Sequence, residues 1–332
     1  MNFHELPKVE LHLHLDCSLS YDLVKKLRPG TTEEDYQQSF IAPPKCTDLA
    51  DYLLRAVKGF ELMQTKEALR LSVFDLFEQL QKDRVIYAEI RFAPFHHIKQ
   101  GLSPETVVWE VNDAVAECVK QSGIKAGVLL CTLRHYEEAR SMETVKLVKQ
   151  FKGSHVVGFD IAGDEAGYPI DAHTKAFQYA KACNIPCTAH AGEARGPRSV
   201  QETVEHFQPR RIGHGVRSVE SERLLAQLKE RDIHLEVCPT SNIQTDIYHR
   251  LIDHSVDKIF RSGVSMSIST DCRTISDVTL TSEYQGLKNN FDWKLEHFRK
   301  CNTEAIKSAF TTESVKAQLY KQLTDGFEKF VS

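Results

Sequence analysis

Short apolar runs alternate with amphipathic stretches along the whole chain. Eight runs rich in β-branched and aliphatic residues predict strands near Val9 to His14, Val85 to Phe92, Ile124 to Thr132, Val156 to Ile161, Pro186 to Ala191, Arg211 to Gly213, His234 to Val237 and Val264 to Ser269. Helical spacing fills the gaps. Val107, Val111, Val115 and Val119 recur beside Glu110 and Asp113, the apolar stripe of a helix laid on a sheet. Two helix starts are identifiable: Ser103 before Pro104 reads as an N-cap with proline at the first helical position, and Ser199 to Glu202 fits a capping box. Strand and helix alternating in this way predict an α/β protein of parallel βα units, and eight strands predict a (β/α)8 TIM barrel.

No linker, repeat or low-complexity segment interrupts the pattern, so residues 1–332 are expected to form a single barrel domain. Between the first two strands lies a mostly helical insert, about residues 20–82, with a Pro43-Pro44 turn and an amphipathic stretch from Leu49 to Gln81. A segment of that length beside a barrel mouth is expected to act as a lid. Residues 280–331 predict extra C-terminal helices.

Composition narrows the partners. The 42 basic and 46 acidic residues give a formal charge of -4 with no basic stripe, which argues against nucleic acid. No stretch approaches the roughly 20 apolar residues of a membrane span, and Met1 to Glu5 lacks the basic and apolar regions of a signal peptide, so a cytoplasmic location is expected. The nine cysteines are scattered through apolar runs without a Cys-x-x-Cys pair and are expected to be reduced core thiols.

Chemistry concentrates where the predicted strands end, the edge at which such barrels carry their sites. In Lys8-Val9-Glu10-Leu11-His12-Leu13-His14-Leu15-Asp16, period-two alternation puts His12 and His14 on one face. The fifth strand ends in His190-Ala191-Gly192-Glu193, the sixth in Gly213-His214-Gly215 and the eighth in Ser269-Thr270-Asp271. Neutral imidazoles with one carboxylate suit a divalent transition metal, most often zinc, with an open position for water. Glu193, three residues past His190, is placed as a proton shuttle, and His214 is either a ligand or a base. The His-x-Glu and Pro-Cys-x-x-Cys runs of cytidine-type zinc deaminases are absent.

Together with Gly158 to Glu165 (Gly-Phe-Asp-Ile-Ala-Gly-Asp-Glu) and Cys238-Pro239-Thr240-Ser241-Asn242, these motifs resemble the adenosine deaminase family of metal-dependent amidohydrolases. The resemblance spans nearly the whole chain. It implies one Zn2+ per chain held by His12, His14, His190 and Asp271, with Glu193 protonating purine N1 and His214 orienting the attacking hydroxide. It also implies a substrate site that takes in His14, the Gly163 N–H at purine N3, Asp16 at a ribose hydroxyl and the residue after Asp271 at N7. The expected reaction is hydrolytic deamination of adenosine or 2′-deoxyadenosine, with a purine nucleoside as the small-molecule partner.

Two positions depart from the family pattern. Cys17 follows Asp16 where glycine is familiar, and Cys272 follows Asp271 where a second aspartate is frequent. A thiol is a weak partner for N7. Either Cys272 serves N7 poorly, or it only packs and Arg273 or water takes that role. The alternatives are therefore another 6-aminopurine substrate, such as adenine, methylthioadenosine, an N6-substituted adenine nucleotide or aminodeoxyfutalosine, or a barrel that binds nucleoside without catalysis.

Overall fold

The computed structural model describes residues 2–331. Its strands are β1 (Lys8–His14), β2 (Val85–Phe92), β3 (Lys125–Leu133), β4 (Val156–Ala162), β5 (Thr188–Ala191), β6 (Arg211–His214), β7 (His234–Val237) and β8 (Met266–Ile268). Each lies within a few residues of the sequence expectation. All neighbours pair in parallel, β1 through β4 in one sheet and β5 through β8 in the other. Single parallel bridges join the two sheets at both seams: Phe159 with Cys187, and Leu13 with Asp271. The ring of a TIM barrel is thereby completed, and the second seam passes through a predicted site residue.

Strands covered on both faces are expected to be uniformly apolar. The interior of this barrel is instead crossed by charges. Arg91 donates to Asp160 at 2.8 Å and to Glu236 at 2.7 Å, while Arg211 pairs with Glu236 at 2.7 Å and Glu89 at 2.5 Å. All five side chains are fully buried. Such charges are tolerated only when each is paired, and the network forms a polar floor beneath the barrel mouth.

The insert folds as four helices, α1 (Tyr21–Leu27), α2 (Glu33–Phe40), α3 (Leu49–Leu62) and α4 (Lys66–Lys82). The stretch expected to run from Leu49 to Gln81 is broken at Met63-Gln64-Thr65, because Thr65 takes an N-cap position and accepts from the Ala68 N–H at 3.1 Å. α4 leads the chain back to β2 and packs on α5 (Pro104–Ser122). Ser103 caps α5 as expected, accepting from the Thr106 N–H at 3.2 Å. The expected capping box at Ser199 to Glu202 is not found. That helix begins one turn earlier, at Pro197, whose fixed φ suits a first helical position, and the Ser199 hydroxyl donates to Glu165 at 2.5 Å instead.

After β8 the chain ends in three helices, Leu280–Phe291, Leu295–Ser308 and Glu313–Val331. The cysteines are free thiols, eight of them buried. Among the described residues no helix is long and apolar enough to cross a membrane.

Candidate active site

Alternation along β1 carries His12 and His14 toward the C-terminal mouth, where His190 from β5, His214 from β6 and Asp271 beyond β8 meet them. One nitrogen each from His12, His190 and His214 and one Asp271 oxygen lie within 4.8 Å of one another. His14 belongs to the same centre, its Nε2 lying 3.3 Å from Asp271 Oδ1 and 3.2 Å from His190 Nε2. The backbone is bent to achieve this: His214 and Asp271 adopt φ of 60° and 65°, a region L-residues rarely enter. Such outliers concentrate where function requires a particular side-chain direction. Gly213 makes room for the first imidazole, since a Cβ there would lie 2.8 Å from His12 Cε1.

The polar floor orients these rings. His12 Nδ1 lies 2.9 Å from Glu236 Oε2, and His190 Nδ1 lies 3.2 Å from Asp160 Oδ1. Burial would raise both carboxyls, but Arg91, with Arg211 for Glu236 and His190 for Asp160, holds them below the ordinary range. Both are therefore acceptors, which puts a proton on Nδ1 of each ring and turns each Nε2 inward, where its lone pair would serve a metal. His12 Nε2 is buried without a hydrogen-bond partner, although it lies 3.3 Å from Asp271 Oδ1. Asp271 Oδ2 in turn accepts from Ser241 at 2.7 Å. Inward lone pairs and a fixed carboxylate fit a divalent cation.

Glu193 stands beside this centre, its Oε2 3.5 Å from His214 Nε2 and its Oε1 buried without a hydrogen-bond partner. Burial, with Asp271 and Glu165 nearby, raises its carboxyl well above the usual range, so it is poised as an acid. The loop that carries it is pinned by Glu165, whose carboxylate accepts from the backbone N–H groups of Gly192, Glu193 and Arg195 at 2.7, 2.9 and 3.0 Å. Burial lowers His214 far below the ordinary imidazole range. A neutral imidazole and a protonated carboxyl thus face one another.

A cavity of about 440 Å3 extends from these groups to the apolar face of α3, including Leu53, Val57 and Phe60. His14, Asp16, Gly163, Cys272 and the strand-tip groups border it; His12 lies just beneath. Burial would raise the Asp16 carboxyl, but His97, 3.6 Å away, and His14 hold it down. Cys17 Sγ donates to Asp16 Oδ1 at 3.7 Å, and burial, with Cys17 and Asp271 beside it, raises the Cys272 thiol well above its usual range. Cys272 therefore borders the cavity as a neutral thiol. Arg273 cannot stand in for it. Its guanidinium is buried elsewhere, donating to Glu10 at 2.6 Å and Asp83 at 3.0 Å. A larger groove of about 1130 Å3, around Glu5, Arg84 and Asp325 at the other end of the barrel, holds none of these groups.

Arg91, Glu236 and His254 are not among the groups expected from the sequence, yet each is hydrogen-bonded to a residue of this centre or to one that touches it. Charged residues at alternate positions of otherwise apolar strands were the signal for the first two. Nothing in the sequence marks His254, which meets Asn242 twelve residues before it and the Val256 N–H two residues after it.

The chain matches the profile of the adenosine deaminase family over residues 7–326. The adenosine deaminase of Clostridium acetobutylicum is 35% identical over 325 residues, covering 96% of this chain and 97% of the relative. Among solved structures, an adenine deaminase from Arthrobacter aurescens superposes with a TM-score of 0.90 at 22% identity, covering 97% of this chain and 99% of its own. An amidohydrolase from Burkholderia ambifaria with bound Zn gives the same score and identity, covering 99% of this chain and 92% of its own.

Proposed function

The chain belongs to the adenosine deaminase family, and from that premise we propose that it hydrolyses adenosine and 2′-deoxyadenosine to inosine or deoxyinosine and ammonia. The observation that carries the mechanism is the pairing of Glu193, held protonated by burial, with a neutral His214 at 3.5 Å beside a cluster of inward-facing metal donors.

His12, His14, His190 and Asp271 are the residues assigned to hold one metal ion, and zinc is the ion this mixed imidazole and carboxylate set suits. When bound, the ion lowers the pKa of water toward neutrality and so supplies hydroxide. Glu193 delivers its proton to purine N1, which draws electron density from C6. As hydroxide adds to C6, His214 donates from Nε2 to the incoming oxygen and orients it. Glu193, now a carboxylate, takes the hydroxyl proton and passes it to the amino group, which leaves as ammonia. The proton on N1 stays in the product, and the proton given up when the next water becomes hydroxide would restore the Glu193 acid, so one water enters and one ammonia departs. Asp16 is assigned to a ribose hydroxyl, the Gly163 N–H to purine N3, and Cys272 to the N7 edge, with His14 closing the ribose side of the pocket.

Deamination of another 6-aminopurine is the second reading, favoured by the neutral Cys272 thiol, which offers N7 only a weak partner. The test follows loss of the ultraviolet absorbance of adenosine by zinc-loaded and chelator-treated protein, with adenine and 5′-modified nucleosides in parallel. Rapid metal-dependent loss with adenosine supports the first reading. Slow turnover of adenosine beside fast turnover of another aminopurine overturns it in favour of the second.

A further inference from the structure

His214 shares its centre with the metal donors, yet its other nitrogen is tied to a chain of hydrogen bonds whose direction is set by one backbone group. The Val256 N–H donates to His254 Nδ1 at 2.9 Å, so that nitrogen carries a lone pair. The proton of neutral His254 is then on Nε2, which donates to Asn242 Oδ1 at 3.3 Å. With its oxygen turned to His254, Asn242 presents its amide N–H to His214 Nδ1 at 3.1 Å. His214 Nδ1 is therefore an acceptor, and its proton lies on Nε2, facing Glu193.

The alternatives fail on donor count. Turning the Asn242 amide over would set its NH2 against the His254 Nε2–H. Protonating His254 would set Nδ1–H against the Val256 N–H. All three side chains are at most 3% exposed, which limits relief by solvent. His12 and His190 are arranged the other way: each directs Nδ1 at a carboxylate and turns Nε2 toward the other donors of the centre. Imidazoles meeting at one centre thus carry two different tautomers, chosen by what lies behind them.

We infer that Asn242 and His254 are positioning residues that fix His214 as an Nε2–H donor, keeping it out of the metal's donor set and aiming its proton at the attacking oxygen. The catalytic consequence rests on the deaminase reading; the tautomer does not. His214 nearly touches the other donors, so distance alone does not exclude it from the metal. The proton on Nε2 does, because that nitrogen then has no lone pair to give.

The test is nitrogen NMR of zinc-loaded protein carrying 15N-labelled histidine, with the His214 signals assigned by loss in His214→Gln. The expected result is a protonated-type shift for Nε2 and a lone-pair shift for Nδ1. Asn242→Asp places an acceptor opposite Nδ1 and is expected to invert the two shifts and to lower kcat on the order of 10²-fold, with KM for adenosine changed far less. Should Asn242→Asp not fold, His254 supplies a second pair: His254→Gln keeps an N–H donor toward Asn242 and is expected to keep the tautomer, whereas His254→Leu loses it. A wild-type His214 protonated on Nδ1, or an Asn242→Asp protein with unchanged shifts and kcat, overturns the proposal. Absence of adenosine turnover in wild type would remove the deaminase reading, while the nitrogen shifts would still decide the tautomer.

Discussion

Glu236 accepts the Nδ1 proton of His12 at 2.9 Å, and both side chains are fully buried in the barrel. The same carboxylate neutralises Arg91 and Arg211, so one residue serves both the charge balance of the interior and the direction of an imidazole lone pair. Glu236→Gln removes the charge and can turn an amide N–H toward His12. Metal affinity is expected to fall about 10–100-fold, and stability by roughly 3–5 kcal/mol from the unbalanced guanidinium groups. Zinc competition against a chromophoric chelator and denaturant unfolding measure the two effects; unchanged affinity would remove the orienting role.

Glu193→Gln keeps the size of the side chain and removes its ionisable proton. Zinc content is expected to be retained while turnover falls by about 10²–10⁴-fold, the usual contribution of a positioned general acid. Metal analysis and the absorbance assay on the same preparation separate loss of chemistry from loss of metal. Turnover near that of wild type would move the proton-transfer role to another group.

Gly59 lies in α3 with its Cα against the Asp16 backbone, and an added Cβ would collide with the Asp16 carbonyl oxygen and crowd Leu19. Gly59→Ala would raise the intrinsic helix propensity of α3 and yet is expected to destabilise the protein by about 1–3 kcal/mol, because the helix must shift off the mouth. Asp16 would move with it. KM for adenosine is expected to rise more than kcat falls, as steady-state kinetics would register.

Glu283 is fully buried, accepts from the Thr240 N–H at 2.9 Å and leaves its second oxygen without a partner. Burial raises its carboxyl from an ordinary 4.5 to about 8. In the folded protein it stays protonated below that pH, whereas in the unfolded chain it ionises above 4.5. Its contribution therefore favours folding fully at low pH and is lost as pH rises from about 4.5 through 8. Glu283→Gln is expected to raise the melting temperature relative to wild type at pH 8 and to change it little at pH 4. Equal shifts at both values would show that titration of this group is not the cause.

By itself, the sequence determined the strand order, the helical insert and the identity of the groups at the mouth. These follow from periodicity and local chemistry: alternation on β1 puts His12 and His14 on one face whatever lies around them, and catalytic groups of parallel barrels gather at strand ends. Local rules failed where a tertiary partner outcompeted them, as at Ser199, whose hydroxyl goes to Glu165 rather than to a helix cap. Only the tertiary structure decided which nitrogen of each imidazole faces inward. That choice depends on Glu236, Asp160 and Asn242, each far along the chain from the ring it orients. A ring proton is placed by whatever lies within hydrogen-bond reach, and folding alone brings those groups together.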